Sequence, residues 1–200
     1  CQSVWEPDTW RAQLGRLEGR VCRIEVVGGG SGTGFLVGQD LVLTTCTAVY
    51  PVITGNVLPE HVQIRFDFRQ RPDGTLSPGT VYRLAPEWLV DHSSPDSDSH
   101  RTAFGTGEGL DYALLRVRGA PGNEAVGGDT VESTATQRGW IGLTQVDYTL
   151  PPGSALVTLD HARNKPLRLY FDLDAVRGYH RNRTYLHYRL ERSPGSSGAP

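Results

Sequence analysis

The chain has 200 residues, with 20 Lys and Arg against 22 Asp and Glu and a formal net charge of −2 at pH 7. That length suits one domain, or one fold built from two small barrels, and the mixed charge offers no basic footprint for nucleic acid and no polybasic run for an anionic membrane. With Gly 24 and Pro 13 the composition favours short strands and tight turns over helices, and no apolar run approaches a membrane span.

In chain order, residues 8–19 read as a short amphipathic helix with Asp8 as N-cap and Trp10, Leu14 and Leu17 at helical spacing. Val21 to Val27 alternates like a strand. The glycine run from Gly28 to Gly34 suggests a phosphate loop, which should open a helix. Phe35-Leu36-Val37 and Leu41-Val42-Leu43 instead continue as strand, so the run reads as a hairpin turn. In that hairpin the first strand is expected to bury Phe35 and Val37. Val62 to Phe66 and Val81 to Leu84 read as further strands, and His92 to Gly109 as a long surface loop. Leu110 to Val117 is a strand opened by Asp111. Residues 119–138 are Gly-rich and polar, a connection. Arg138 to Leu143, Ala155 to Leu159, Leu167 to Phe171 and Tyr185 to Leu190 read as strands of a second unit.

The last stretch, Arg192-Ser193-Pro194-Gly195-Ser196-Ser197-Gly198-Ala199-Pro200, places a hydroxyl in a sharp, glycine-rich turn. Glycines let backbone N–H groups converge there, as an acyl-transfer enzyme requires of a serine nucleophile with an adjacent oxyanion hole. It resembles the nucleophile loop of trypsin-like (chymotrypsin-fold) serine peptidases, in the bacterial form related to the glutamyl endopeptidases. Two more segments carry the resemblance in order: Gly32 to Thr44, like the hairpin before the catalytic histidine, and Asp111-Tyr112-Ala113-Leu114-Leu115-Arg116, like the strand whose aspartate orients that histidine. The resemblance covers roughly residues 20–200. It implies an all-β fold of two antiparallel six-stranded β-barrels with a short N-terminal helix: an N-terminal segment 1–19, a first barrel 20–118, a connection 119–138 and a second barrel 139–200. It also implies Ser197 as nucleophile, Asp111 as the orienting acid, and the N–H groups of Gly195 and Ser197 as the oxyanion hole.

One position departs. Where the family carries histidine this chain reads Leu43-Thr44-Thr45-Cys46-Thr47-Ala48, and the histidine position falls on Thr47. A threonine hydroxyl is no base near pH 7, and in a convergent serine protease removing the histidine alone costs about 10⁶ in turnover. Cys46 is expected on the opposite face if the strand pleat continues there. His161, in Asp160-His161-Ala162, reads as a structural loop residue.

Two functions follow: a serine endopeptidase domain by descent, inactive as written, or a pseudo-peptidase whose cleft holds a peptide or senses a partner. A small β-barrel with no peptidase ancestry has to treat three ordered motifs as coincidence. Glu191 and Arg192 fall where the family lines its primary substrate pocket. Their opposite charges predict opposite preferences, and neither is favoured.

The expected partner is a peptide or protein, with no nucleic acid, membrane, metal or other cofactor. Three cysteines, Cys1, Cys22 and Cys46, cannot all pair, which favours a reducing, cytoplasmic setting. The chain has no Met and stops three residues after Ser197, before the strands that close the family's second barrel. It is therefore expected to be a fragment, its second barrel incomplete, of a longer protein with other domains.

Overall fold

Apolar residues at alternate positions of three segments set the core. Cys22, Ile24 and Val26, then Val62, Ile64 and Phe66, then Ala113, Leu115 and Val117 all point into one cluster, each at most 5% exposed. The computed structural model describes residues 6–95, 109–127, 137–143, 149–179, 186–189 and 194–200. Helix α1 (Pro7–Arg20) leads into β1 (Val21–Val26), β2 (Ser31–Leu36) and β3 (Leu41–Thr44), followed by α2 (Cys46–Ile53), β4 (Val62–Phe66) and the small hairpin β5 (Arg69–Gln70) and β6 (Leu76–Ser77). Next come β7 (Thr80–Tyr82), β8 (Leu84–Ser93) and β9 (Tyr112–Val117). The remaining strands are β10 (Leu156–Asp160), β11 (Arg168–Asp172), β12 (Val176–Tyr179) and β13 (Leu186–Tyr188). Among the described residues no helix is long and apolar enough to cross a membrane.

The all-β class holds. Seven antiparallel strands, in the order β7-β4-β1-β2-β3-β9-β8, form one sheet curled into a half-barrel. Where a six-stranded second barrel is expected, the described strands form two separate hairpins, β10–β11 and β12–β13.

Four local expectations are corrected. Leu36, fully buried, faces the core, while Phe35 and Val37 are half-buried. The face is inverted because Gly34 points inward, where an added Cβ would lie 2.9 Å from Val42 and 3.0 Å from Ile24. The N-cap of α1 is Glu6, and Asp8 sits in the first turn, paired with exposed Arg11 at 2.7 Å. The chain after Thr44 does not continue as strand but coils into α2, whose Cys46, Val49 and Val52 recur every third residue and are buried. Arg138 to Leu143 forms no strand; Ile141 gives a single backbone bond to Leu36.

Arg138 instead runs into the interior, 1% exposed, beside Asp67, which holds a left-handed φ of 59° just after β4. Its two terminal nitrogens donate to the two Asp67 carboxylate oxygens at 3.0 and 2.8 Å. The same guanidinium donates to the carbonyls of Gly19 (2.6 Å) and Pro121 (3.2 Å) and lies 4.8 Å over the Phe66 ring. It therefore ties the end of α1, the exit of β4 and the connection after β9 to one point. Removing one partner of a fully buried pair strands the other charge, so Arg138→Met should cost about 3–5 kcal/mol in a denaturant titration. Adding Asp67→Leu to Arg138→Met should recover part of that loss. Two independent, additive losses would contradict a pair.

Candidate active site

Asp111 directly precedes β9, which pairs with β3 in the register Thr44↔Ala113 and Val42↔Leu115. That pairing brings the residue just before β9 beside the chain leaving β3, where α2 begins. The first N–H groups of a helix have no partner inside it, and their end carries partial positive charge. α2 has no acidic residue in its first turn, and Thr45 at its N-cap makes no side-chain cap. Asp111 supplies what is missing. Its Oδ1 accepts the Thr47 backbone N–H at 2.9 Å, and the Thr47 hydroxyl lies 3.1 Å from Oδ1 and 3.0 Å from Oδ2. The structure thus brings Asp111 and Thr47 together, with Thr47 exposed. Cys46, one residue earlier in the same helical turn, is fully buried, with Sγ 3.7 Å from Ser94 Oγ.

Ser197 reaches this region through β2. Cα pairing of β2 with β3 stops at Phe35↔Leu43, because the chain leaves for α2. The rest of that β2 edge is taken by residues 194–200. Thr33 N–H donates to Ser197 O at 2.9 Å, Thr33 Oγ1 donates to Gly195 O at 2.8 Å, and Thr44 Oγ1 donates to Thr33 O at 2.7 Å. Two glycines permit the approach. An added Cβ at Gly198, where φ is 88°, would lie 2.1 Å from Thr33 O, and one at Gly32 would meet Ala48 at 2.7 Å and Ser197 O at 3.3 Å. Ser197 is exposed. Neither its N–H nor that of Gly195 has an acceptor among the described residues. Glu191 and Arg192 lie outside the described residues.

His161 lies behind this loop, not in the cleft. It is 1% exposed, stacked on Phe68 with ring centroids 6.1 Å apart. Its N–H donates to Thr33 Oγ1 at 3.0 Å, and Nδ1 lies 3.1 Å from Lys165 O. That carbonyl selects the tautomer with hydrogen on Nδ1 and leaves buried Nε2 as an acceptor without a partner among the described residues. Burial pushes the imidazole pKa down to about 4. The residue that sequence reasoning passed over is Thr33, a hydroxyl set between Gly32 and Gly34. Its signal was that a side chain follows and precedes residues chosen for having none.

A chain in which an aspartate strand, a helix start after a β-hairpin and a glycine-flanked serine loop meet at one end of a curled sheet has the organisation of a trypsin-like peptidase. A family model described as trypsin-like peptidase domain matches residues 32–200, and the chain belongs to that family. Among solved structures, the M. tuberculosis protease Rv3671c in an inactive form aligns with TM-score 0.54 and 16% identity, over 100% of this chain and 77% of the other. Deg5 aligns with TM-score 0.56 and 13% identity over 100% and 81%, and a Glu endopeptidase with TM-score 0.55 and 16% identity over 92% and 74%. At these identities the likeness is one of fold. No curated protein matches the chain.

The depressed His161 pKa has a pH signature. The folded state holds the ring neutral, so between pH 6.5 and about 4 the unfolded chain binds more protons. Its contribution is complete above about 6.5 and lost as pH falls toward 4, about 3 kcal/mol over the window. Denaturation of the native chain and of His161→Gln across pH 4–7 should show a shallower pH dependence for the variant. Parallel curves would contradict a buried neutral ring.

Proposed function

We propose that this is a serine endopeptidase domain by descent whose nucleophile is inert because Thr47 stands where the general base is needed. The observation that carries this reading is that Thr47 hydrogen-bonds Asp111 through both its backbone N–H and its hydroxyl. In the reaction this fold supports, Ser197 Oγ attacks a peptide carbonyl, a base takes its proton, and the Gly195 and Ser197 N–H groups meet the oxyanion. Asp111 would hold an imidazole in the tautomer that presents a lone pair to the serine. Here the same carboxylate receives a hydroxyl that ends at Oγ1, too short to span to Ser197 and with no basic lone pair near neutral pH. Ser197 keeps the ordinary reactivity of an alcohol.

The domain then works as a peptide-binding or regulatory module rather than as a catalyst, holding a peptide or protein along its cleft. This reading is supported by the exposed Ser197 loop being locked in place although the base is missing. Two solved structures of similar fold, at 12% identity each, are scabies mite inactivated protease paralogues.

Thr47→His in the full-length chain tests the proposal. It should raise kcat/KM for peptide hydrolysis by at least about 10³-fold over the unaltered protein, and Ser197→Ala added to it should return activity to background. Peptidase activity in the unaltered chain that Ser197→Ala removes would overturn the reading, because some other group would then serve as base.

A further inference from the structure

The serine loop is attached to the half-barrel through one buried side chain that the proposed reaction leaves without a role. Thr33 is 0% exposed, and each of its polar groups is engaged. Its N–H goes to Ser197 O, its carbonyl accepts from Thr44 Oγ1, and its hydroxyl donates to Gly195 O at 2.8 Å while accepting the His161 N–H at 3.0 Å. The hydroxyl has one proton, and the backbone N–H of His161 can only donate. The proton therefore points to Gly195 O and the lone pair to His161.

We propose that Thr33 is a positioning residue for the oxyanion donors: its hydroxyl locks the Gly195–Ser196 peptide, the plane between the one that carries the Gly195 N–H and the one that carries the Ser197 N–H, and so fixes how those two N–H groups are oriented to each other. This deepens the serine-peptidase reading and rests on it for the meaning of those N–H groups. A trans peptide is planar, with C=O and N–H on opposite sides, so holding a carbonyl fixes the N–H of the next residue. Pro194 O accepts the Arg163 N–H at 2.5 Å, which sets the Gly195 N–H. Gly195 has φ of 94° and no Cβ, so its own side chain does nothing to fix the plane of the following peptide, whose oxygen needs a partner. The Thr33 hydroxyl provides one, and the Thr33 N–H holds Ser197 O beyond it. Ser196 O accepts the Ala199 N–H at 3.1 Å, which sets the Ser197 N–H, so Thr33 holds the planes on either side of that peptide and Pro194 O sets the other donor. The Pro194 restraint comes from a turn whose Arg163 and Asn164 adopt left-handed φ of 52° and 60°. His161 connects that turn to the same hydroxyl. Three segments far apart in sequence thus share a single oxygen atom.

Thr33→Val keeps the shape, removes the hydroxyl and leaves Gly195 O and the His161 N–H buried without partners; Thr33→Ser keeps the hydroxyl. In the Thr47→His background, Thr33→Val should lower the rate of fluorophosphonate labelling per folded molecule by about 10²-fold, with KM for a peptide substrate changed by less than about threefold. Thr33→Ser should restore labelling to within about threefold of the Thr47→His parent. A purely structural role would lower the melting temperature and leave the rate per folded molecule unchanged, and that result overturns the proposal.

A second readout needs no activity. In the unaltered chain the His161 amide should be protected from hydrogen exchange and should stay protected in Thr33→Ser. In Thr33→Val its protection should fall, and the Gly195 and Ser197 amide resonances should shift. Rapid exchange at His161 in the unaltered chain overturns the proposal even if Thr33→Val does not fold. If Thr47→His fails to label while these amides behave as stated, the peptidase reading fails and the restraint by Thr33 stands.

Discussion

The constraint on which the site depends is geometric: β3 ends too early to cover the edge of β2. Strand pairing stops at Phe35↔Leu43, and the chain coils away at Cys46. The exposed ladder groups of β2 need partners. The serine loop provides one, because Ser197 O lies where a strand carbonyl would have been. The close approach admits no side chain at Gly32 or Gly198, which is the physical reason this glycine-rich hairpin and this glycine-rich loop occur in one chain. The same turn of chain that vacates the β2 edge starts α2 and presents its free N–H groups to Asp111.

Asp111 consequently has two reasons to stand where it does. It caps a helix that lacks an acidic residue of its own, and on the proposed reading it stands where a trypsin-like enzyme orients an imidazole. The capping role does not require a histidine at position 47, because the bond is made by the backbone N–H, and the Thr47 hydroxyl adds a further bond. On the proposed reading, the first role keeps Asp111 and Thr47 together when the second is lost.

Much of this was legible in the sequence. Val62 to Phe66 alternates and is β4 to the residue, and the strand after Asp111 follows the same rule. The hairpin from Gly28 onward was recognisable because strand patterning follows the glycines. Other features were hidden for physical reasons. Thr-Thr-Cys-Thr-Ala-Val is rich in β-branched residues and reads as strand, yet tertiary packing of Cys46, Val49 and Val52 makes it a helix. The inward face of β2 was misread because its inward residues include Gly32 and Gly34, which carry no hydrophobic signal. Arg138 looked like the polar start of a strand, and nothing local reveals that Asp67, distant in sequence, awaits it in the interior. Thr33 and His161 were visible as residue types only. Their shared hydrogen bond joins positions 33 and 161, a contact that no spacing pattern encodes.

The central claim is that Ser197 sits in a formed nucleophile loop and lacks a base. Exposure of the unaltered full-length protein to a fluorophosphonate, followed by intact mass and peptide mapping, tests it most directly, because covalent capture requires an activated serine and no particular substrate. The predicted result is an unmodified chain after prolonged incubation. A single stoichiometric adduct mapped to Ser197 would contradict it.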